Sequence, residues 1–181
     1  MIYVALLRGI NVGGNNKISM KLLKETFERA GMEEVIAYIN SGNVIFKATD
    51  YRINELSELL EKAILEDFSL DIKVLLRTHE DFERLLAMIP EDLSNDGSMK
   101  CDILFLWEDI TPQELIDQVK PKADIDTVIS SDTEVIWVVS RDNVTKSKLN
   151  KLIGTKAYKK VTVRNINTTR KIYTLMNSIM N

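Results

Sequence analysis

The feature that most constrains the fold is a repeated order of strand and helix patterns along the chain. In the first half, short apolar runs typical of buried strands alternate with apolar stripes of helical spacing. The strand patterns lie at residues 2–8, 35–39, 44–46 and 72–76, and the helix patterns follow Ser19 and Asp50. The first half is therefore predicted to run β-α-β-β-α-β.

The same order recurs in the second half. Thr111-Pro112-Gln113-Glu114 is a strong helix start, because it places Thr at the N-cap, Pro at the first helical position and Glu at the third. The other predicted elements are strands at residues 103–107, 127–129, 134–139 and 161–164 and a helix over 147–153. Two copies of this split arrangement predict an α+β protein built from two ferredoxin-like plaits, each with a four-stranded sheet.

Two further helices are predicted outside the repeats. Thr78 begins a helix with Asp81 three residues later, and Pro90 limits its extent. A last helix follows Asn167 at the C-terminal end. We therefore expect a first half at 1–77, a connecting helix and loop at 78–100, and a second half with the C-terminal helix at 101–181.

Several predicted strands are apolar on both faces. In the strand at 134–139, Val135 and Trp137 point one way while Ile136 and Val138 point the other. Bare second faces would form large exposed apolar patches, which soluble monomers avoid. We expect the two halves to pack together over these faces, with burial between two subunits as the alternative. Trp137 and Phe105 should then be mostly buried.

Composition excludes several classes of protein. Apolar residues make up 45% and charged residues 28%, which is typical of a globular chain. The single cysteine, Cys101, cannot form an internal disulfide, and no apolar run reaches the roughly 18 residues of a membrane span. The N-terminal residues lack the pattern of a signal peptide. We therefore expect a cytoplasmic protein, either a monomer or a homodimer.

Charge is distributed unevenly. Between Arg141 and Lys171 there are ten Lys or Arg residues and one acid, Asp142, which gives this segment a charge of +9. Because the whole chain carries −3, the remaining residues carry −12. This basic segment, with Lys148 among its lysines, is a candidate anion-binding surface; the alternative is a solvated, lysine-rich helix face.

The loop after the first strand is polar and rich in glycine. Arg8, Asn11, Gly13, Gly14 and Lys17 are candidate ligand-binding residues, because glycines let backbone N–H groups approach an anion and Arg and Lys add charge. The spacing is neither that of a P-loop nor GxGxxG. Alternatively, the glycines only shape a turn and the arginine pairs with an acid. A second candidate lies in the hairpin at Ser41 and Asn43, which need not be near the first.

A third group of candidates lies between the last strand and the last helix. Arg164, Asn165 and Thr168 are polar residues that could contact a phosphate. Asn167 is the expected N-cap of the helix. Arg170 and Lys171 would be unfavourable near a helix N-terminus unless an anion or a neighbouring Glu compensated them.

No catalytic set, metal site or cofactor site is evident. His79 is the only histidine and is expected to be solvated, while Cys101 is expected to be a small packing residue. No HExxH, CxxC or GxSxG pattern occurs. The first strand resembles that of an RNA-recognition motif, but the third strand supplies only one aromatic, Phe46.

Three stretches of the chain carry a family resemblance. Residues 6–14, Leu-Leu-Arg-Gly-Ile-Asn-Val-Gly-Gly, together with Tyr38-Ile39-Asn40-Ser41-Gly42-Asn43-Val44 and Thr162-Val163-Arg164-Asn165, resemble a bacterial domain-of-unknown-function family, number 1697. The resemblance spans nearly the whole chain; Ile166 departs from it, where an aromatic is expected. It implies two ferredoxin-like halves and no established activity.

We therefore expect a bacterial protein that binds a phosphate-bearing ligand, a nucleotide or RNA, through its basic segment, with Arg8 and Lys17 as further candidate contacts. Two alternatives stay open. One is an enzyme acting on a small polar metabolite at the Arg8–Gly14 loop, and the other is a non-catalytic interaction or dimerisation module. The sequence leaves open whether the chain is an enzyme.

Overall fold

The computed structural model describes residues 1–180. The chain divides into two compact units, one formed by Met1–Arg84 with the chain from Lys171 onward, and the other by Leu85–Arg170. The domain boundaries expected near residues 78 and 100 stay predictions. No helix in residues 1–180 combines the length and the apolar character needed to cross a membrane.

The first unit contains one antiparallel sheet with strand order β2-β3-β1-β4. Helix α3 begins in this unit directly after the fourth strand. The elements are β1 (Ile2–Leu7), α1 (Met20–Arg29), β2 (Glu33–Tyr38), β3 (Asn43–Lys47), α2 (Ile53–Phe68), β4 (Val74–Thr78) and α3 (His79–Ala87). The β-α-β-β-α-β order predicted for the first half is confirmed.

The second unit contains the matching antiparallel sheet, with strand order β6-β7-β5-β8. Its elements are β5 (Met99–Leu106), α4 (Pro112–Val119), β6 (Thr127–Ser130), β7 (Glu134–Ser140), three 3-10 segments (Arg141–Lys146, Lys148–Gly154 and Lys156–Lys160), β8 (Val161–Asn165) and α5 (Ile166–Ser178). The predicted α+β class with two four-stranded plaits is confirmed.

The first core is aromatic where the sheet meets its helices. The Phe46 ring, on β3, stacks against Tyr3 of β1 at a centroid distance of 5.7 Å and meets Phe27 of α1 edge to face at 5.5 Å. Such aromatic pairs add stabilisation beyond the area they bury. Leu56 and Leu60 of α2 complete the buried side of this layer.

The second core is organised around Trp137 and a buried carboxylate. Trp137 is fully buried, and its Nε1 donates a hydrogen bond to Asp126 Oδ1 at 3.0 Å. Asp126 also accepts from Ser147 Oγ at 2.5 Å and from the backbone N–H groups of Lys122 and Lys148. Burial by itself would raise the pKa of Asp126, but these hydrogen bonds outweigh it and hold the pKa below its usual value.

Both faces of each sheet carry buried apolar residues. Val4 and Ile45, which alternate with the core residues of the first sheet, are fully buried. Phe105 and Ile136 in the second sheet are fully buried as well, as is Trp137 on the other face. The prediction that Trp137 and Phe105 are buried is confirmed.

The helix predicted over residues 147–153 is not α-helical. The chain there forms the 3-10 segment Lys148–Gly154, and extended residues at Ser147 and Thr155 separate it from the segments on either side. Leu149 and Leu152 pack toward the core while Ile153 is exposed, as expected for the roughly three residues per turn of a 3-10 helix.

Helix starts follow the predicted capping residues with one exception. Ser19 caps α1, Thr111 forms a capping box with Glu114, and the N–H of Asp81 donates to Thr78 Oγ1. The expectation that Asn167 caps the last helix is wrong. Asn165 accepts from Thr168 N at 2.9 Å instead, because α5 begins at Ile166.

Candidate functional site

The loop after β1 and the turn between β2 and β3 lie at the same end of the first sheet. Strands β1 and β3 are antiparallel neighbours with Leu6 opposite Asn43, so the end of β1 meets the start of β3. Leu7 N donates to Gly42 O at 2.9 Å and extends this pairing into the turn. The two motifs, whose proximity was left open above, are therefore adjacent.

Close packing at Gly42 holds the turn against the loop. A Cβ atom at this position would lie 2.7 Å from Ile10 Cδ1 and 2.9 Å from Leu7 Cβ. Gly42 also has φ +80°, a left-handed conformation that side-chain-bearing residues rarely adopt. Both constraints require glycine in the Asn40-Ser41-Gly42-Asn43 motif.

Asn11 ties the loop to α1 and to the turn. Its Nδ2 donates to Ile18 O at 3.1 Å and to Asn40 O at 2.9 Å, while its Oδ1 accepts from Ile18 N at 2.9 Å. Both amide hydrogens of the Asn11 side chain and its Oδ1 are therefore bonded to backbone groups. Asn11 shapes the site and has no amide hydrogen left to donate to a ligand.

The loop backbone takes repeated left-handed turns. Gly9, Asn11, Gly13, Gly14 and Asn16 all have positive φ. Asn16 Nδ2 donates to Gly9 O at 2.9 Å, and Asn15 N donates to Val12 O at 3.0 Å across the tip. These bonds fix the loop as a compact hairpin that leads into the first turn of α1.

A cleft of about 380 Å³ opens beside this loop. Its walls come from the loop, from the start of α1 and from the β2–β3 turn, so the fold brings three segments together. The lining residues are Asn11, Gly14, Lys17, Ile18, Ser19 and Asn40. None of these six has a carboxyl, thiol or imidazole group, although acids outnumber bases in the chain.

Lys17 supplies the charge of the cleft. Its side chain is exposed, and within residues 1–180 its ammonium group forms no ion pair or hydrogen bond. The N-terminal end of α1, which starts at Met20, adds the partial positive charge of a helix dipole. The cleft is therefore electropositive within an acidic protein.

The other candidates of the first unit lie outside this lining. Asn43 is fully buried, and its Nδ2 donates to Tyr38 O at 3.0 Å and Ser41 Oγ at 3.1 Å. Arg8 is half-buried, and its backbone N–H donates to Lys73 O. Gly13 lies near the tip of the loop without lining the cleft. Asn43 and Ser41 thus stabilise the turn.

Candidates near the last strand hold the junction between β8 and α5. Arg164 is buried, and its Nη1 donates to Thr162 Oγ1 at 2.9 Å and Val163 O at 2.8 Å. Burial lowers the pKa of Arg164 to about 10. Asn165 caps α5 through the backbone N–H of Thr168, which is itself buried. These contacts are those of a structural junction.

Two further basic residues of the second unit contact oxygen atoms of the protein itself. Arg170 Nη1 donates to Leu93 O at 2.7 Å, which accounts for a basic residue early in α5 without an anion. Lys148 is half-buried on the second 3-10 segment, and its backbone N–H donates to Asp126. Neither of these contacts involves Arg164.

Two residues with reactive side chains take packing or surface roles. Cys101 is buried, and burial raises the pKa of its thiol to about 11, so the thiolate is disfavoured near neutral pH. His79 is half-buried rather than solvated, with Nε2 2.6 Å from Asn177 Oδ1 and its ring 5.0 Å from that of Tyr173.

Sequence reasoning missed three residues of the cleft. Ile18, Ser19 and Asn40 were not candidates, although Ser19 is predicted as a helix cap. The available signal was the strand order: a split βαβ unit places β1 beside β3, so the β2–β3 turn must lie near the β1 loop.

Fold and site together define an α+β protein of two ferredoxin-like plaits with a loop-built polar cleft. A family model described as "Protein of unknown function (DUF1697)" matches residues 1–137, and the chain belongs to this family. The resemblance inferred from the sequence is thereby confirmed.

One solved structure is similar over almost the whole chain. It is described as that of a conserved bacterial protein from Streptococcus pneumoniae, with 31% sequence identity and a TM-score of 0.83. The match covers 97% of this chain and 98% of that one. No curated protein matches the sequence.

Proposed function

We propose that this protein binds a small phosphate-bearing molecule in the cleft between the β1 loop and α1. The observation that carries the proposal is an acid-free lining around Lys17, whose ammonium group has no counter-ion within residues 1–180. A phosphate group would supply that counter-charge. The ligand class is the one expected from the sequence, and the cleft is proposed as a site for it.

The backbone around Lys17 supports the same ligand. Gly14 has φ +81° and carries no side chain, so an anion can approach its backbone closely. The first N–H groups of α1 have no intrahelical partners and point toward its N-terminal end. Anions are stabilised at such helix ends by about 0.3–1 kcal/mol at exposed sites. A ligand here would meet charge, dipole and backbone donors together.

The lining favours binding over acid–base catalysis. General acid–base catalysis needs a side chain within hydrogen-bonding distance that can exchange a proton near the working pH. Of the six lining residues only Lys17 has a titratable side chain. The enzymatic alternative at this loop therefore lacks a second group to complete a catalytic pair.

A thermal-shift experiment tests the proposal. Inorganic phosphate, nucleoside monophosphates and nucleoside triphosphates are each added to the full-length protein at increasing concentration. At 100 times Kd a ligand stabilises the native state by about 2.7 kcal/mol, which corresponds to roughly 5–10 °C in Tm for a chain of this size. We expect such a rise for at least one phosphate compound.

Lys17→Met should abolish that rise, and Lys62→Met is the matched control. Lys62 is also exposed, but it lies on α2 and pairs with Glu66 away from the cleft lining. The control should respond to the ligand as the wild type does. A ligand response that survives Lys17→Met would refute the cleft as the site.

A further inference from the structure

Lysines recur every third position along the 3-10 segments that follow β7. Lys148 and Lys151 lie three apart in the segment Lys148–Gly154, and Lys156 and Lys159 lie three apart in the segment Lys156–Lys160. Side chains three residues apart eclipse each other in a 3-10 helix, with a rise of about 6 Å between them. Each segment therefore presents a pair of lysines on one face. We call these four residues the lysine surface.

Three of the four lysines have the same position relative to residues that face the core. Lys148, Lys151 and Lys156 each directly precede a residue that packs inward, namely Leu149, Leu152 and Ala157. Leu152 and Ala157 are buried in the second core, and Leu149 packs against it. These inward residues fix each segment against the core, and within each segment the lysines lie on a different face from the inward residues.

The charge of the lysine surface is not neutralised by the residues that the structure describes. In the described part of the protein none of the four ammonium groups forms an ion pair or a hydrogen bond. Neighbouring lysines differ: Lys160 pairs with Asp109 Oδ2 at 3.0 Å, and Lys146 donates to Asn143 Oδ1 at 3.4 Å. Four uncompensated cations within twelve residues create a local positive potential despite the acidic total.

Exposed apolar groups stand beside these lysines. Ile153 is 71% exposed, and the ring-bearing Tyr158, between Lys156 and Lys159, is 39% exposed. Alternating cations and exposed aromatics are how proteins bind single-stranded nucleic acid without sequence preference, since phosphates meet the cations and bases stack on the rings.

We infer that the lysine surface binds single-stranded RNA, with backbone phosphates at the four ammonium groups and a base against Tyr158. This site is separate from the β1 cleft and does not depend on the function proposed there. No base-edge reading is built into it, so the affinity is modest and independent of sequence.

The primary test is a titration of a fluorescent twelve-nucleotide oligouridylate with the full-length protein at 50 and 200 mM salt. Four neutralised phosphates give a slope of about −2.8 in log K against log salt, which is a loss of about 50-fold over this range. Absence of binding at 50 mM salt would overturn the inference, as would binding that does not depend on salt.

A charge-reversal variant and a matched control distinguish the contribution of the lysine surface to RNA affinity from that of the net charge. Lys151→Glu, Lys156→Glu and Lys159→Glu together should reduce affinity more than tenfold and flatten the salt slope. The control, Lys21→Glu, Lys62→Glu and Lys122→Glu, changes the net charge equally at lysines elsewhere. It should keep most of the affinity, and an equal loss in both variants would overturn the inference.

Two further measurements identify the ligand of the lysine surface. Tyr158→Ala should lower affinity for the oligouridylate about fivefold while leaving inorganic polyphosphate binding unchanged, because only RNA offers a base to stack. Equal effects on both ligands would exclude stacking. Binding to phosphatidylserine vesicles in the absence of RNA binding would assign the surface to a membrane and overturn the inference.

Discussion

The two units repeat one design and differ in one connection. In both, the fourth strand pairs with the first and carries an arginine near its end: Arg77 lies opposite Val4, and Arg164 lies opposite Ile103. Each arginine is buried and donates from Nη1 to the carbonyl of the preceding residue. Between the third and fourth strands, however, the first unit has the 16-residue α2 and the second has three 3-10 segments.

This difference shows that the connection between the third and fourth strands must supply a row of residues facing the core. The type of helix that carries this row can differ. In α2 the row is Leu56, Leu60 and Ile64 at spacings of four, which suit an α-helix. In the second unit Leu149 and Leu152 are three apart, which suits a 3-10 helix. The outer faces differ as a result, with mixed charge on α2 and lysines on the 3-10 segments.

The largest expected loss of stability is at Trp137, whose hydrogen bond to Asp126 lies beside the 3-10 connection of the second unit. Trp137→Ala removes the largest buried side chain and leaves Asp126 without its indole donor. We expect the free energy of unfolding to fall by about 3–5 kcal/mol in urea denaturation. Ile153→Ala, at an exposed residue of the adjoining 3-10 segment, is the control and should change it by less than about 0.5 kcal/mol.

If Trp137→Ala cost no more than that control, the second unit would not depend on its central tryptophan. The Trp137–Asp126–Ser147 contacts would then be dispensable, and the 3-10 segments would be held by Leu152 and Ala157 alone.

The sheets could be predicted from sequence because each strand is a short apolar run between turn residues. The 3-10 connection could not, because two apolar residues three apart fit the first turn of either helix type. The cap of α5 was misplaced for a related reason: Asn165 and Asn167 are both good caps, and only the end of β8 at Asn165 decides between them.

Only part of the cleft could be predicted from the sequence. Lys17, Gly14 and Asn11 form a recognisable polar loop, but Asn40 joins them only through the pairing of β1 with β3. Residue types indicate chemistry, whereas adjacency between distant loops follows from strand order. Combining the predicted strand order with the two motifs would have placed them together.

A smaller effect is expected at the close contact between the β1 loop and the β2–β3 turn of the first unit. Gly42→Ala forces a Cβ into Ile10 and Leu7 and strains a residue at φ +80°. We expect a loss of about 1–3 kcal/mol in unfolding free energy, since added methyl groups in packed sites cost this much. Gly97→Ala is the matched control, because a Cβ atom there would meet nothing within 4 Å and the φ of Gly97 is not positive.

Should Gly42→Ala unfold at the same urea concentration as the wild type, the loop and the turn would have to separate easily. The cleft would then not be preformed, and ligand binding at Lys17 would carry the cost of ordering it.

The smallest expected effect is the difference in stability contributed by the N-caps of α1 and α4, the first helices of the two units. Thr111 and Glu114 form a reciprocal capping box, with Thr111 N donating to Glu114 Oε2 at 2.7 Å, whereas Ser19 only accepts from Leu22 N at 3.4 Å. Thr111→Ala should cost about 1 kcal/mol in unfolding free energy at pH 7, and Ser19→Ala should cost less.

Lowering the pH should reduce the difference between the unfolding free-energy losses of Thr111→Ala and Ser19→Ala. Hydrogen bonds from the Thr111 backbone N–H and from its hydroxyl hold the pKa of Glu114 below its usual value. Thr111→Ala removes the hydroxyl bond, whose contribution is complete above the pKa of the unfolded chain. That contribution is lost as pH falls through the lower pKa of the folded protein. Urea midpoints of both variants at pH 7 and pH 3 measure the change. Equal losses for Thr111→Ala and Ser19→Ala at pH 7 would show that Thr111 Oγ1, with its bonds from Glu114 N and to Glu114 Oε2, contributes no more than the single bond of Ser19.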